Sequence, residues 1–227
     1  PVTPEAIRSM IETRMDVVRE LMIVGEVGGV IEGVMVCQRT DKDSSRVRSW
    51  EETTNNGTLV GTHFPNGKNF YIVNLAVTER GSAHDLSDQL IAMMLGKFVE
   101  AQGEVAQLLS RIPQFSQWLN ERHVDFDSLS DEDQDSLAEE YIHATKVVDG
   151  KERLYDGVLQ RYVEAGVQPT TLLRNGYADP SSHNYGVLCT FENPLPDMLK
   201  RSRIISLLAG RAISCAANHP KVLKKLP

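Results

Sequence analysis

The sequence is poor in cysteine and aromatic residues, and it has no long hydrophobic run. Its three cysteines, Cys37, Cys189 and Cys215, lie far apart without CxxC spacing, so neither a disulfide framework nor a cysteine metal site is indicated, and no metal is expected. No apolar stretch approaches the roughly 18 to 20 residues of a membrane span. The first 25 residues are charged throughout, unlike a signal peptide. We therefore expect reduced thiols, a cytoplasmic location and no membrane partner.

Acidic residues are absent after Asp197, where seven lysines and arginines follow, whereas the preceding segment holds 31 acidic and 17 basic residues. The net charge of −7 argues against nucleic acid as the main partner, because phosphate contacts need a basic face. A basic end on an acidic body indicates one of two things. It is either a docking surface for an acidic partner or a solvated amphipathic helix that runs into a linker.

The chain has 227 residues, of which 41% are hydrophobic, and this is enough for one well-buried domain, with or without an appendage. We assign residues 1–195 to the domain and residues 196–227 to a basic helix or linker. The chain starts at Pro1 without methionine, which is consistent with a domain cut from a longer polypeptide.

One stretch organises the rest of the chain. It reads as a buried strand from Phe70 to Val77, a Gly81-Ser82 turn, and an amphipathic helix from about Asp85. A loop that opens a helix leaves backbone N–H groups that can receive a phosphate. Asp85 is predicted to cap these groups itself, and it would then repel a pyrophosphate.

The remaining pattern predicts a mixed α/β (α+β) fold with a mostly antiparallel sheet flanked by helices. Trp50 stands in a polar run and is either a lid over a pocket or a packing anchor. The other predicted helices cover residues 3–16, 114–122, 130–146, 154–165 and 197–218, and the other strands cover 19–27, 30–39, 104–111, 170–173 and 185–191.

This order resembles the GNAT acyltransferase fold, and more particularly the GNAT-like domains that open polyketide synthase loading modules. The resemblance covers roughly residues 4–192. It is carried by Val73 to Val77 with Gln89-Leu90-Ile91, Gly33-Val34 with Cys37-Gln38-Arg39, Asp156-Gly157-Val158-Leu159 before Gly166, Gly176-Tyr177 with Asp179, and Asn184 to Leu188.

The resemblance implies an enzyme that decarboxylates malonyl or methylmalonyl thioesters, or transfers short acyl groups such as acetyl, to make polyketide starter units. It implies acyl-CoA or the phosphopantetheine of an acyl carrier protein as substrate, with neighbouring synthase domains as further partners. The implied cofactor-binding residues are Asn74, Leu75, Ala76, Val77, Gly81, Ser82, Ser87 and Asn184.

The implied catalytic residues include departures from the family. Ser110 stands where the family has a threonine, Tyr162 where it has a histidine, and Ala178 where it has an arginine. Arg174 is then the candidate carboxylate clamp, and His183 the best remaining imidazole. Asp85-Leu86-Ser87 replaces the family's glycine-rich phosphate loop, which favours a carrier-bound substrate over free CoA. Two functions stay open: this enzyme, or a catalytically degenerate scaffold or carrier-docking module of a megasynthase.

Overall fold

The computed structural model describes residues 3–218, which form two compact units. Within that range, the first unit comprises residues 3–43, 54–107 and 192–218, and the second comprises 44–53 and 108–191. The helices are α1 (Pro4–Val18), α2 (Trp50–Thr54), α3 (Glu79–Ser82), α4 (Leu86–Glu100), α5 (Phe115–Glu121), α6 (Asp131–His143), α7 (Gly157–Glu164), α8 (Asp197–Lys200) and α9 (Arg203–Ala217). The strands are β1 (Met22–Val27), β2 (Val30–Thr40), β3 (Asn69–Val77), β4 (Val105–Arg111), β5 (Thr145–Val148), β6 (Lys151–Leu154), β7 (Gln168–Leu173) and β8 (Gly186–Glu192).

Six strands form one sheet in the order β1-β2-β3-β4-β8-β7, and β5 pairs with β6 in a separate hairpin. The pairs β1–β2, β2–β3 and β7–β8 are antiparallel. The predicted mixed, mostly antiparallel sheet with flanking helices is therefore confirmed. In the turn between β1 and β2, Gly28 and Gly29 both have positive φ, of 63° and 82°, as tight hairpin turns require.

The core of the first unit forms where α4 covers the sheet. The side chain of Leu86 fills the space above Gly25, where an added Cβ would lie 2.3 Å from its Cδ1. Phe70 and Tyr71 are consecutive on β3 and both nearly fully buried, so both faces of the strand are covered at its start. The register of β2 and β3 slips between Val36 and Cys37. Such a bulge bends the strand locally.

The core of the second unit is an aromatic cluster centred on Phe115. Its ring lies 4.9 Å from that of Tyr141 and 5.3 Å from that of Phe126, measured between centroids. The Tyr141 hydroxyl donates to the buried Asp156 carboxylate at 2.7 Å. Asp156 also caps α7 by accepting from the amides of Val158 and Leu159, so one carboxylate fixes both the start of α7 and the phenol of α6.

Several sequence predictions of elements are wrong. Residues 19–21 form a 3₁₀ turn, and the strand begins only at Met22. Gly81 and Ser82 lie in the short helix α3 and not in a turn. Helix α6 ends at His143, and the hairpin β5–β6 replaces the predicted ends of two helices. The final helix is broken into α8 and α9. Cys37 and Cys189 are buried free thiols.

Within residues 3–218, no helix is both long and apolar enough to cross a membrane. Residues 196–218 fold as α8 and α9, and α9 packs on α4. The basic residues Lys221, Lys224 and Lys225 lie outside the described range.

Candidate functional site

In the first unit, β3 carries the predicted binding edge, and a buried arginine fixes its polar residue. The Nη1 of Arg14 donates to the Oδ1 of Asn74 at 3.0 Å, and its Nε donates to the carbonyl of Gly57 at 2.6 Å. Arg14 is only 8% exposed, and burial lowers the pKa of its guanidinium. Asn74 is thus oriented by a neighbouring helix before any ligand arrives.

The three residues after Asn74 that were predicted to bind the cofactor pair with β2 along one edge of β3. Leu75, Ala76 and Val77 pair with Met35, Val34 and Gly33 of β2. Of these three, Ala76 is exposed and the other two are half-buried.

Gly81 is required by the close packing of α3. A Cβ there would lie 2.7 Å from the carbonyl oxygen of Glu32 and 2.7 Å from Val77 Cγ1. Thr78 caps α3 through its hydroxyl, which also contacts the Glu32 carboxylate, and Arg80 pairs with the same carboxylate at 3.3 Å. Glu32 therefore holds the N-terminal end of the short helix against β2.

The loop between β3 and α4 uses most of its own N–H groups. The amides of Ser82, Ala83, His84 and Asp85 donate to carbonyls within the loop at 2.8 to 3.1 Å. Asp85 stands at the N-cap position with φ 55°, but its side chain makes no capping hydrogen bond. The predicted side-chain cap is therefore wrong. The first amides of α4, including that of the half-buried Ser87, have no carbonyl within the helix to donate to.

In the second unit, Ser110 lies near the end of β4 and is 2% exposed. Its hydroxyl donates to the carbonyl of Arg111 at 2.8 Å. The next amide, that of Ile112, donates to the Ser182 hydroxyl at 3.0 Å. The end of the strand is thereby tied to the loop that precedes β8.

Tyr162 lies on α7 in a half-buried position near Arg111 and Tyr177. Burial, with the neighbouring Cys189 second, raises the pKa of Tyr162 to about 12, against the opposing charge of Arg111. Burial also raises the pKa of Tyr177, and here too Arg111 opposes the rise. Both phenols are therefore neutral hydrogen-bond donors near neutral pH and not bases. The ring of Tyr177 stacks on Trp50 at 5.9 Å between centroids.

Arg174 is bound by acidic residues at the start of α6. Its guanidinium lies 3.1 Å from Asp131 Oδ1 and 2.9 Å from Asp135 Oδ1. Burial would lower the pKa of Arg174, but the hydrogen bond to Asp135 and the surrounding negative charges raise it. The residue borders an open groove of about 850 Å³, whose other walls are formed by α6, β7 and Tyr185. In this arrangement the guanidinium of Arg174 is already paired with the carboxylates of Asp131 and Asp135.

His183 lies in a different environment, against the aromatic cluster. Its ring is 4.4 Å from that of Phe126, and its Nδ1 is 4.0 Å from Asp127 Oδ1, at the edge of a cavity of about 310 Å³. Asn184 follows with φ 62°. Its carbonyl accepts from the Tyr177 amide at 3.3 Å, and its amide donates to the carbonyl of Asp179. Its backbone thus holds the loop before β8 in shape.

Among the described residues, no hydrogen bond or ion pair joins any two of Ser110, Tyr162, Arg174 and His183. The sequence alone did not indicate that Arg111, which directly follows Ser110, lies near Tyr162 and Tyr177.

No protein-family model matches the chain. No curated protein matches it either. Solved structures do. The GphF GNAT-like decarboxylase in complex with isobutyryl-CoA is 18% identical with a TM-score of 0.61, over 82% of this chain and 85% of that one. The loading GNATL domain of CurA from Lyngbya majuscula is also 18% identical with a TM-score of 0.61, over 82% of each chain. Malonyl-CoA decarboxylase from Rhodopseudomonas palustris is 15% identical with a TM-score of 0.52, over 87% of this chain and 50% of that one.

These likenesses show that the chain has the GNAT fold. The resemblance seen in the sequence is therefore confirmed for the fold. At these identities the likeness does not extend to the reaction.

Proposed function

We propose that this chain acts on short acyl thioesters, by decarboxylation of malonyl or methylmalonyl groups, by S-acyl transfer of groups such as acetyl, or by both. The product is the starter unit of polyketide synthesis. The observation that carries the proposal is the fold match to a GNAT-like decarboxylase in complex with an acyl-CoA over more than four fifths of both chains. The loading domain matched equally well supports the polyketide context.

The reaction breaks the bond between the carboxylate carbon and the α-carbon of the acyl group. The electron pair passes into the thioester as an enolate, carbon dioxide leaves, and a proton from water is added at the α-carbon. A donor at the thioester oxygen and exclusion of water both favour this step. Ser110 is proposed as that donor, with its hydroxyl turning from the carbonyl of Arg111 to the thioester oxygen. Tyr162 is proposed as a neutral donor to the acyl group.

Two further assignments remain proposals. Arg174 is proposed to clamp the carboxylate, for which it must exchange an acidic partner on α6 for the substrate. His183 is proposed as the imidazole that passes the proton from water to the α-carbon. For this, its ring must leave the cavity beside Phe126. Both assignments require a side chain to leave the partners that it has in this structure.

The pantetheine arm is proposed to lie along β3 at Asn74 to Val77, where one edge of the backbone is paired with β2. Gly81, Ser82 and Ser87 are proposed to bind the phosphate from the loop before α4, and Asn184 is proposed as a further cofactor-binding residue. Because the loop amides from Ser82 to Asp85 already have partners, a single phosphodiester on a carrier protein suits this loop better than the pyrophosphate of free CoA.

The partner is proposed to be an acyl carrier protein, in a setting with neighbouring synthase domains. Helices α8 and α9 offer a surface for it in the first unit. Its apolar centre is highly exposed, with Met198 85%, Ile204 72% and Leu208 62% exposed. Arg203 and Arg211 lie on the same helix, and no acidic residue follows Asp197. A positive rim around an apolar centre is complementary to an acidic carrier.

The alternative is a catalytically degenerate scaffold or carrier-docking module. The observations that favour it are the ion pairs that occupy Arg174 and the separate cavity that holds His183. In that case the first unit still binds a carrier, but no acyl group changes.

The deciding experiment incubates the domain with malonyl and methylmalonyl groups on a carrier protein and on CoA, and follows loss of carbon dioxide and acyl transfer by mass spectrometry. We expect decarboxylation, and Ser110→Ala and His183→Ala should each slow it about 10-fold or more. Ser128→Ala removes an exposed hydroxyl and serves as the matched control.

Tyr162→Phe tests the second proposed donor in the same assay. If none of the four substrates reacts, the enzyme proposal fails and the docking module is the function that remains.

A further inference from the structure

Arg14, on α1, is a buried cation that forms no ion pair with a carboxylate in the described part of the chain. It is only 8% exposed, and burial lowers the pKa of its guanidinium. Arg80, in the same unit, instead pairs with Glu32 at 3.3 Å. A buried charge is costly unless it is compensated. The oxygens that Arg14 binds, those of Gly57 and Asn74, are neutral, so charge pairing does not explain its position.

The Gly57 carbonyl that accepts from Arg14 belongs to a turn in the left-handed region of the backbone. Asn55 has a φ of 48° and Leu59 a φ of 67°, a conformation that bulky side chains rarely adopt. Thr54 fixes this turn from within. Its hydroxyl accepts from the Gly57 amide at 2.9 Å, and its carbonyl accepts from the Leu59 amide at 2.9 Å. The turn therefore holds the Gly57 carbonyl, and with it the guanidinium 2.6 Å away, in a defined position.

The contact between Arg14 and Asn74 allows one orientation of the asparagine amide. A guanidinium only donates hydrogen bonds, so the atom 3.0 Å from its Nη1 is the carbonyl oxygen Oδ1 of Asn74. The Nδ2 of Asn74 is the other branch of the amide, and no atom of the described residues accepts from it. Asn74 is half-buried, and its Nδ2 is not a buried atom. A ligand can therefore reach this donor.

A β-bulge determines where the side chain of Asn74 points. Asn74 pairs with Val36 and Ile72 pairs with Cys37, so β3 has one residue more than β2 between these two pairs. Bulges change the direction of neighbouring side chains and are common beside active sites. The bulge and Arg14 thus act on the same residue. The backbone sets the direction of the asparagine side chain, and the cation sets which atom of its amide remains for a ligand.

We propose that Asn74 binds a carbonyl oxygen of an acyl-pantetheine through its Nδ2, and that Arg14 is the positioning residue that keeps the amide in this orientation. The inference rests on the proposed function, because it takes β3 as the edge along which the pantetheine arm lies. The arm carries carbonyl oxygens in its two amides and in the thioester. If the amide of Asn74 turned over, Nδ2 would face the guanidinium donors and Oδ1 the ligand carbonyl, and both contacts would be lost. A donor that is oriented in advance binds more tightly, because less freedom is lost on binding.

The test measures binding of two unreactive derivatives of phosphopantetheine by calorimetry. One is the propyl thioether, which keeps the two amides but has no acyl carbonyl. The other is the methyl ketone in which a CH₂ group replaces the sulfur of the acetyl thioester, and it keeps all three carbonyls. Asn74→Ala should weaken binding about fivefold. A loss with both ligands identifies an amide carbonyl as the acceptor, and a loss with the ketone alone identifies the acyl carbonyl.

Asn74→Asp separates binding from folding. Its carboxylate keeps the contact with Arg14 as an ion pair but has no hydrogen to donate to a ligand. Binding should therefore weaken at least as much as in Asn74→Ala, while the midpoint of urea unfolding stays at or above that of the wild type.

Arg14→Met removes the positioning contact. It should weaken binding about threefold in the wild-type background but cause no further loss in the Asn74→Ala background, where no amide is left to orient. A structural role alone would weaken binding by the same factor in both backgrounds. Arg14→Gln, whose amide can face Asn74 with either end, is measured beside it in case the apolar variant does not fold. Arg8→Met removes an exposed arginine of the same helix and should leave binding unchanged.

The outcomes separate this inference from the reaction. Binding that both Asn74 variants leave intact overturns the proposal, and so does a wild-type chain that binds neither ligand. Equal losses from the Arg14 variants in the two backgrounds overturn the positioning role. Binding that depends on Asn74 and Arg14 in a chain that does not decarboxylate malonyl thioesters supports the inference and refutes the reaction. A chain that decarboxylates them but binds independently of Asn74 refutes the inference alone.

Discussion

At the scale of single residues, Asp179 organises the loop that carries Tyr177 and Asn184. Its carboxylate accepts from Ser181 at 2.9 Å and from Ser182 at 2.5 Å, and Ser182 accepts from the amide of Ile112. Burial alone would raise the pKa of Asp179. The two serine hydrogen bonds and the charge of Arg111 outweigh burial, so the pKa is lower than the ordinary 3.8.

This lowered pKa predicts a loss of stability in acid. Because the folded carboxylate binds its proton less readily than the unfolded one, the unfolded state takes up more protons as the pH falls through 3.8 and below. The stabilisation is therefore complete above that pH and is lost as the pH falls through the lower folded value. Urea unfolding of the wild type between about pH 2 and pH 7 should show this decline.

Asp179→Asn should be less stable than the wild type near neutral pH and should show a shallower decline in acid, because the titrating group is gone. Asp149→Asn is the matched control, since Asp149 lies in the tight turn between β5 and β6. An Asp179→Asn curve parallel to that of the wild type would refute this account of the loop.

Residue types and positions were predictable where they depend on local sequence. Ser110 was expected at a strand end and lies there. The ion pairs of Arg174 were not predictable, because Asp131 and Asp135 lie about forty positions away and only the tertiary fold brings them together. The neighbours of Arg111 were not predictable for the same reason, because Tyr162 lies on α7 and Tyr177 in the loop after β7.

At the scale of elements, α9 packs on α4 through small residues. A Cβ on Gly210 would lie 2.5 Å from the carbonyl oxygen of Gly96 and 2.7 Å from the amide nitrogen of Glu100. A Cβ on Gly96 would lie 2.1 Å from Ser214 Oγ. The two helix backbones therefore approach closely, and the contact excludes even a methyl group.

Gly210→Ala should destabilise the first unit although alanine favours a helix. The gain in helix propensity is about 1 kcal/mol, but the clash is with backbone atoms that cannot rotate away, and overpacking of this kind costs roughly 1 to 3 kcal/mol. We expect a net loss in the free energy of unfolding measured with urea. Gly157→Ala is the control, because a Cβ there meets only Gln114 Oε1 at 3.5 Å. A Gly210→Ala chain as stable as that control would refute the close packing.

Long apolar elements were predicted well and short polar ones were not. The predicted strand from Phe70 to Val77 is β3 with one further residue, because a continuous apolar run has few alternatives. The hairpin of β5 and β6 was missed because its strands have four residues each and are largely exposed, so they carry no hydrophobic period. Asp149 and Gly150 have φ of 53° and 73°. An Asp-Gly pair of this kind is typical of a two-residue hairpin turn.

At the scale of the whole molecule, the order of elements was sufficient to predict the GNAT fold, whereas the active-site chemistry was not predictable from that order. Fold class follows from the hydrophobic pattern along the chain and from turn residues, which the sequence shows directly. A site depends on side chains from distant elements and on loops that change without altering the sheet. The loop before α4 illustrates this, since its strand and helix are kept while the amides of Ser82 to Asp85 are used internally.

The charge asymmetry of the chain predicts that the surface of α8 and α9 binds an acidic carrier protein. Removal of everything after Pro196 is a poor test, because α9 covers α4. Single exposed residues are better. Arg203→Glu with Arg211→Glu should weaken binding of a phosphopantetheine-loaded acyl carrier protein roughly 5- to 10-fold at low salt and flatten its salt dependence. Leu208→Ser should weaken binding without changing the salt dependence, because it removes only apolar contact.

The double variant Arg122→Glu with Arg153→Glu, in which both residues belong to the second unit, is the matched control for charge. Equal affinity and equal salt dependence in the α9 variants and the wild type would mean that a carrier docks elsewhere.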